Sequence, residues 1–451
     1  MREGGLEAPK RHPIAWRDDE FYDPAKLDAE LRRVFDICHG CRRCFNLCDS
    51  FPRLFDLIDA SPSGELDGVA SADFAPVAAA CTLCDMCFMT KCPYVPPHPF
   101  ALDFPHLMLR QRATEARAGK VEWADRELAK TDRNGRLASL AAPLANWATN
   151  TENRAARAAL EKTAGLHREA ALPKYASHTL AITAAANPSE LNREAPGFGR
   201  KAVLYATCFG NYNDTGVGLA ARAVLARNGV ETEVVYPRCC GMPLLEQGLL
   251  GEVAAHAEEV AGELGAWIAR GYDVIALVPS CALMLKFEWP LLLPENEAVR
   301  KLADATYDVS EYIVDIARKN GLAPGLRPVP GGVTLHMACH ARAQNMGQKA
   351  AEMLRFIPEM KVSVVERCSG HGGAWGFKRE NFPVALKIGR PAARAAKNAG
   401  QRFLTSECPL AGAHLRQTMT READGGDTAP ELLAHPIRLL ALSYGLDPEA
   451  A

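Results

Sequence analysis

The sequence has 451 residues, of which 48% are hydrophobic and 24% are charged, and its formal net charge at pH 7 is −2. These values are typical of a folded protein with several domains, and they exclude the basic excess that favours nucleic-acid binding. The longest apolar runs, such as residues 274–278, are too short to cross a bilayer, and the first residues carry no apolar signal core. We therefore expect a cytoplasmic protein with no transmembrane span and no nucleic-acid partner, for which peripheral contact with the inner face of the cell membrane stays open.

Cysteine sets this composition apart: there are 15, and they fall into two groups. The first group lies within residues 38–92 and the second within residues 208–408. In a reducing compartment thiols persist as metal ligands rather than as disulfides. The cysteines therefore indicate metal or redox chemistry.

The first group follows a predicted amphipathic helix over residues 23–37, with Asp23 as the expected N-cap and Pro24 as the first helical residue. The cysteines then form two runs, each with three cysteines at two-residue gaps and a fourth shortly after. Two-cluster ferredoxins share this arrangement, and in them the fourth cysteine of each run ligates the other cluster. The spacing predicts two [4Fe-4S] clusters, one held by Cys38, Cys41, Cys44 and Cys92 and the other by Cys81, Cys84, Cys87 and Cys48.

Two details depart from the usual ferredoxin pattern. Asp49 rather than proline follows Cys48, and the last gap of the second run is one residue longer than usual. A pair of zinc sites is the alternative, because zinc also uses C-x2-C pairs, but zinc does not explain three regularly spaced cysteines in each run. His39 adjoins Cys38, yet eight thiolates already fill two clusters, so we expect this histidine to face solvent.

Two further segments separate the cysteine groups. Residues 110–171 are rich in Ala, Arg and Glu, which predicts a pair of connecting helices. Residues 172–201 carry Pro, Ser, Asn and Gly, which predicts a linker.

From residue 203 onward, predicted strands and helices alternate, which indicates βαβ units around mostly parallel sheets. The predicted strands are 203–205, 231–236, 274–278, 333–337, 362–366 and 402–405, and the predicted helices are 214–228, 250–270, 344–356 and 383–397. The cysteines support an internal duplication, because their spacing recurs about 130 residues later with similar neighbours. The matched sets are Cys208, Cys239 and Cys281 in the first copy and Cys339, Cys368 and Cys408 in the second.

The segments YATCFGNYN, CCGMPLLEQG, VPSCALMLKFEWP, ERCSGHGGAWGFKRE and SECPLAGAHL give this half a resemblance to a known family. It resembles the CCG cysteine-rich domains of heterodisulfide reductase (in the subunit designated B) and of the iron–sulfur subunits of glycolate oxidase, of lactate oxidation and of anaerobic glycerol-3-phosphate dehydrogenase. Within that family the motifs are most similar to the iron–sulfur subunit of anaerobic glycerol-3-phosphate dehydrogenase. The resemblance covers the N-terminal cysteines and residues 201–446 and leaves the helical insert unexplained.

In that family the CCG modules carry redox metal centres. The resemblance therefore implies one further iron–sulfur centre in this half, with zinc as the alternative in one module. The implied ligands are Cys208, Cys239, Cys240 and Cys281 in the first module and Cys339, Cys368 and Cys408 in the second, where Ser369 replaces the second cysteine of the pair. His336, His340 and His371 are candidates for the missing ligand, although a hydrogen-bonding role is favoured for each.

The resemblance implies an electron-transfer subunit that works between a flavin-containing dehydrogenase subunit (of glycerol-3-phosphate, glycolate or lactate type) and a quinone or disulfide acceptor. No nucleotide or flavin motif and no catalytic residue is predicted on this chain, and whether the chain alone is an enzyme stays open. The alternatives are a catalytic subunit that reduces a disulfide and a soluble electron donor to a rubrerythrin-like peroxide-scavenging protein.

The predicted architecture is a mixture of α+β and α/β parts. A helical domain of two-[4Fe-4S] ferredoxin type is expected over residues 1–110, and a helical insert and linker over residues 111–200. Two duplicated α/β CCG modules are expected over residues 201–325 and 326–451.

Overall fold

The computed structural model describes residues 9–422 and 429–446. Helices form the first part of the described chain, and two four-stranded parallel sheets organise the rest. The predicted alternation around parallel sheets is therefore confirmed. None of the helices within the described residues has the length and apolar composition needed to span a bilayer.

The N-terminal part contains four α-helices and the two cysteine runs between them. The helices are α1 (Pro24–Cys41), α2 (Ser50–Asp59), α3 (Ala75–Ala80) and α4 (Phe104–Arg117). The Asp23 carboxylate accepts hydrogen bonds of 2.9 Å from the N–H groups of Ala25 and Lys26, so the predicted N-cap is confirmed. The helix runs further than predicted and carries Cys38 and Cys41 on its last turn.

The insert is more divided than the predicted pair of helices. Its helices are α5 (Trp123–Leu128), α6 (Thr131–Leu140), α7 (Ala142–Thr149), α8 (Arg154–Ala164) and α9 (Leu180–Ala186). A proline in the first turn starts α7, and the Asn153 side chain caps α8. Because caps and prolines interrupt the helical pattern at these points, the segment predicted as a pair of helices forms several short ones. Helix α9 lies in the segment predicted as a linker.

The first module contains a sheet with the strand order β2-β1-β3-β4. Its strands are β1 (Lys201–Tyr205), β2 (Glu231–Val235), β3 (Asp273–Ala276) and β4 (Thr306–Asp308). Its helices are α10 (Cys208–Tyr212), α11 (Thr215–Arg227), α12 (Met242–Glu246), α13 (Leu250–Ile268), α14 (Pro279–Leu283), α15 (Trp289–Leu292), α16 (Glu297–Ala305) and α17 (Val309–Lys319), with a π-helical turn at Met284–Glu288.

The second module repeats that topology with the strand order β6-β5-β7-β8. Its strands are β5 (Val333–His336), β6 (Val362–Val365), β7 (Phe403–Ser406) and β8 (Glu431–Leu433), and its helices are α18 (Cys339–Ala343), α19 (Lys349–Leu354), α20 (Phe382–Asn398), α21 (Pro409–Arg421) and α22 (Pro436–Ser443). The helix predicted over residues 344–356 starts only at Lys349, because Asn345 and Gly347 adopt left-handed backbone angles of 52° and 77°.

The parts share continuous apolar cores. One core joins the N-terminal helices to the first module through α4, α12 and α13, and it includes Phe35, Leu107 and Leu245. A second core lies between the modules, where α11 and α17 pack against α19 and α22. The cysteine-bearing loops are therefore held by elements that cannot shift independently.

One buried histidine gives the second module a testable pH dependence. His435 is fully buried and caps α22, where its Nδ1 accepts the N–H of Ile437 at 3.1 Å. Burial lowers the pKa of His435 to about 3. The folded imidazole therefore stays neutral, while the unfolded chain takes up a proton as the pH falls below about 6.5.

We expect His435→Asn to reduce the acid sensitivity of folding, because asparagine keeps the cap but does not titrate. Between pH 6.5 and 4.5 the wild-type chain should lose about 2 kcal/mol more of its free energy of unfolding than the variant. Urea unfolding followed by circular dichroism at several pH values measures the slope of the free energy of unfolding against pH for each of the two chains. Parallel slopes would show that His435 does not stay neutral in the folded chain.

Candidate metal centres

The first set of thiols forms where α1 ends. Cys38 and Cys41 lie on its last turn, and Arg42 turns the chain with a backbone φ of 51°. Burial, and next the thiols of Cys92, Cys44 and Cys41, raise the pKa of Cys38 well above its usual value. Burial followed by Cys92 and Cys41 likewise raises the pKa of Cys44 to about 12. The structure thus brings together all four residues predicted for the first cluster.

The second set gathers around the loop between α3 and the π-helical turn at Cys87–Lys91. Burial, and next the thiols of Cys84 and Cys81, raise the pKa of Cys48. Burial also raises the pKa of Cys87, and there the contributing thiols are Cys84, Cys81, Cys48 and finally Cys44. Cys48 therefore lies with the second run rather than with its own, and Cys44 and Cys87 lie where the two sets meet.

Two arginines hold the second loop in place. Arg112 donates to the carbonyls of Cys81 and of Ala78, the latter at 2.7 Å, and also to the Glu246 carbonyl at 2.9 Å. Arg11 donates to the Asp85 carboxylate. These bonds fix a loop whose Asp85 has a backbone φ of 64°, and they tie it to the first module.

His39 has a partner of its own. Its Nε2 lies 3.0 Å from the Asp59 carboxylate, and its side chain is 15% exposed. Its ring therefore contacts the Asp59 carboxylate, and it is less open to solvent than expected.

In the first module, the cysteines follow the carboxyl ends of three neighbouring strands. Cys208 begins α10 after β1, Cys239 and Cys240 lie in the loop after β2, and Cys281 lies in α14 after β3. Because β1 pairs in parallel with both β2 and β3, these three strand ends meet at one edge of the sheet.

The four thiols of this edge contact one another. The Sγ atoms of Cys208 and Cys239 are 3.7 Å apart, and those of Cys240 and Cys281 are 3.2 Å apart. Hydrogen bonds from the Cys208 and Cys240 thiols hold the pKa of Cys239 well below its usual value. These bonds favour the thiolate form of Cys239, which is the form that binds metals.

The glycine after the cysteine pair has a defined role in both modules. Gly241 and Gly370 each have a backbone φ of 79°, a region that other residues rarely adopt. In this conformation the Gly241 N–H points at the Sγ of Cys239 at 3.4 Å, and the Gly370 N–H points at the Sγ of Cys368 at 3.3 Å. The duplication therefore preserves a backbone donor aimed at the same sulfur.

The second module has the same sheet edge, but its three cysteines lie in two separate places. The Cys339 thiol donates hydrogen bonds to the sulfurs of Cys368 and Cys84, and these bonds, followed by burial, raise the pKa of Cys339. Acceptance of the bond from Cys339 lowers the pKa of Cys368 to about 7. Burial raises the pKa of Cys408 to about 11, and the nearby Cys281 thiol of the first module also raises it. Cys339 and Cys368 thus lie beside the second N-terminal set, and Cys408 lies beside the first module.

Two of the three candidate histidines use both ring nitrogens for hydrogen bonds. His336 is bonded to the Ser406 hydroxyl at 2.8 Å and to the Arg367 carbonyl at 3.0 Å. His340 joins the Ser280 hydroxyl at 2.8 Å to the Leu83 carbonyl at 3.2 Å, so it links the second module to the first module and to the loop of the second set.

The third histidine, His371, is buried with its Nδ1 unbonded within the described part of the chain, and burial lowers its pKa to about 3. Ser369, at the position of the missing cysteine, is also buried, and its hydroxyl accepts a hydrogen bond from the backbone N–H of His371 at 3.4 Å.

The donor chemistry of these sites fits thiolate-bound metal groups. Across residues 9–422 and 429–446, no three His, Cys, Asp or Glu side chains are arranged so that they could hold a single metal ion. The thiols nonetheless crowd together in buried positions where their own charges repel one another. Several thiolates can coexist there only beside a positively charged group, and a multi-iron cluster spreads its ligands more widely than a single ion does.

The family model of the CCG cysteine-rich domain matches residues 202–286 and residues 333–416. Each module thus contains one match to the CCG cysteine-rich domain. The two matches contain every cysteine of the second group, whereas the N-terminal cysteines lie outside them. The predicted duplication and the predicted resemblance to this family are confirmed.

Comparison with curated proteins gives relatives of two kinds. The chain is 26% identical to an anaerobic glycerol-3-phosphate dehydrogenase subunit, the one designated C, of Escherichia coli (strain K12) over 323 residues, which cover 70% of this chain and 75% of that protein. It is 27% identical to lactate utilization protein A of Bacillus pumilus (strain SAFR-032) over 213 residues, which cover 45% of this chain and 85% of that protein. The resemblance to the glycerol-3-phosphate dehydrogenase subunit that the motifs predicted is thus confirmed over most of the chain.

Several residues around the CCG sites escaped the sequence analysis. The His256 ring is hydrogen-bonded to the Cys239 carbonyl at 2.9 Å, and the Trp289 indole donates to the Cys240 carbonyl at 3.2 Å. Asp132 accepts the N–H of Cys239 from the helical insert. No local motif marks these residues, because each reaches the cysteine pair only after the chain has folded.

Proposed function

We propose that this chain is the iron–sulfur electron-transfer subunit of a larger oxidoreductase. In this proposal residues 1–110 form a ferredoxin-like domain with two [4Fe-4S] clusters, residues 111–200 an insert, and residues 201–325 and 326–451 the two modules. Cys208, Cys239, Cys240 and Cys281 would hold one further iron–sulfur centre, while Cys339, Cys368 and Cys408 would bind a second centre or zinc. Bound clusters would supply one-electron redox centres at these thiols.

The observation that carries this proposal is that neighbouring thiols connect different sets of cysteines. Cys44 lies near Cys87 where the two N-terminal sets meet, Cys84 is hydrogen-bonded to Cys339, and Cys408 lies near Cys281. The first two contacts join the N-terminal cysteines to the second module, and the third joins the second module to the first. Such a series of contacts suits transfer of electrons between two partners better than catalysis at one site.

The relatives support a proposal for the partners at the two ends. The glycerol-3-phosphate dehydrogenase subunit and the lactate utilization protein both have names that point to the oxidation of small hydroxylated metabolites. We therefore propose that a flavin-containing dehydrogenase subunit delivers electrons, and that a quinone at the inner face of the cell membrane accepts them. The flavin subunit would determine the substrate.

The proposal is tested with the chain purified without oxygen and analysed for iron and sulfide. We expect at least about eight irons per chain and broad visible absorption that dithionite bleaches. A water-soluble quinone added to the reduced chain should restore the absorption, and a small disulfide in a parallel sample tests the reductase alternative. A colourless zinc protein, or a reduced chain that neither acceptor reoxidises, would overturn the proposal.

A further inference from the structure

We propose that Asp132 of the helical insert is a positioning residue for the first CCG site, where it holds the Cys239 backbone and keeps the reduction potential of the centre low. This inference rests on the proposed function, because it concerns an iron–sulfur centre at Cys208, Cys239, Cys240 and Cys281. It gives the insert, which the family resemblance does not explain, a role in redox chemistry.

The geometry of Asp132 is specific. Its two carboxylate oxygens lie 3.1 and 3.3 Å from the Cys239 backbone nitrogen, and the Tyr236 hydroxyl donates to the same carboxylate. Asp132 occupies the first turn of α6, directly after Thr131, whose hydroxyl lies against the thiols of Cys208 and Cys239. The first turn of this helix therefore covers the cysteine loop.

The insert is docked so that this turn cannot drift. Gly135, one turn further along α6, lies against the Tyr212 ring, and a Cβ there would come within 2.3 Å of the ring. Tyr212 in turn packs edge-on against Tyr236, with ring centroids 5.4 Å apart. On the other side of the insert, the Lys378 ammonium of the second module bonds to Asp125 of α5 at 2.6 Å, away from the cysteine loop.

Asp132 acts on the centre in two ways, and both lower its reduction potential. Its negative charge beside the thiolates disfavours the addition of an electron. By accepting the Cys239 N–H, it also withholds a backbone donor that would otherwise stabilise the reduced cluster sulfurs, and hydrogen bonds to the sulfurs help to set cluster potentials. Arg238 opposes the charge only weakly, because its Nε lies 4.0 Å away and its side chain is 39% exposed.

The test compares Asp132→Asn with the wild-type chain, both loaded with iron. We expect a positive shift in the midpoint potential of the centre in a redox titration followed by electron paramagnetic resonance, with the iron content unchanged. Asp132→Glu should restore the wild-type potential. Asp125→Asn is the matched control, because it removes a carboxylate of the same insert that binds Lys378 instead of the cysteine loop, and it should leave the potential unchanged.

Hydrogen exchange of the Cys239 amide gives a second readout that needs no cluster. Asp132→Ala removes both acceptor oxygens and should speed this exchange, even if the variant binds less iron. An unchanged potential in fully loaded Asp132→Asn, an equal shift in Asp125→Asn, or unchanged exchange in Asp132→Ala would each overturn the inference. A different result would show that the proposed iron–sulfur centre itself is wrong. In that case Cys240→Ser would bind as much iron as the wild-type chain.

Discussion

Serine in place of Cys48 is expected to remove the same cluster as serine in place of Cys84, although Cys48 belongs to the first cysteine run. The physical reason is that the Cys48 thiol lies beside Cys84 and Cys81, whereas Cys38 has Cys92, Cys44 and Cys41 as its neighbours. Replacement of a thiolate ligand by serine should cost one cluster, which corresponds to a loss of about four irons per chain.

The four single variants at Cys48, Cys84, Cys38 and Cys92 form a matched set. After anaerobic reconstitution and reduction, Cys48→Ser and Cys84→Ser should share one electron paramagnetic resonance spectrum, and Cys38→Ser and Cys92→Ser should share another. Iron analysis of the same samples reports the size of the loss. A spectrum of Cys48→Ser that matches Cys38→Ser would instead assign each run to its own cluster and contradict the crossed arrangement.

Sequence patterns predict those parts of the fold that depend on short-range periodicity. Alternating strands and helices, and the repeat that begins at Cys208 and again at Cys339, were sufficient to predict two parallel sheets. The strands β4 and β8 were missed because each has only three residues, which is too short for a recognisable pattern. The insert was simplified because its short helices depend on individual caps such as Asn153.

In the candidate sites, too, local sequence patterns predict some features and tertiary packing determines the others. Spacing along the chain identified the N-terminal sets, because ligands two residues apart converge through local backbone geometry alone. The division of the second module, with Cys339 facing Cys84 and Cys408 facing Cys281, follows from how three parts of the chain pack together. No spacing rule contains that information, and the same is true of the contact between Asp132 and Cys239.

A buried ion cluster connects the second N-terminal set to the first CCG module. The Arg11 guanidinium lies 2.9 Å from Asp103 and from Glu288, and it also binds Asp85 beside Cys84. The side chains of Arg11, Asp85 and Glu288 are 11%, 5% and 5% exposed. Burial alone would raise the pKa of Glu288, but His106 and Arg11 lower it to about 2, so this buried carboxylate depends on its cationic partners.

We expect Arg11→Met to lower the free energy of unfolding by about 3–5 kcal/mol, because it leaves buried carboxylates without their cation. His106, 3.0 Å from Glu288, is then the positive partner that remains for that carboxylate. Arg11→Lys should recover only part of the loss, since an ammonium restores the charge but not the planar fork that reaches three carboxylates. Urea unfolding of the anaerobically prepared chains at pH 7 measures both effects.

The exposed Arg17 provides the control for this prediction. Its guanidinium is 66% exposed and lies 3.8 Å from Glu258, so Arg17→Met should change the free energy of unfolding by less than about 1 kcal/mol. Lower pH should narrow the difference in free energy of unfolding between Arg11→Met and the wild-type chain, because protonation of Glu288 removes an uncompensated charge from the variant. Equal losses in the two variants, or a gap that widens in acid, would show that burial of these carboxylates does not depend on Arg11.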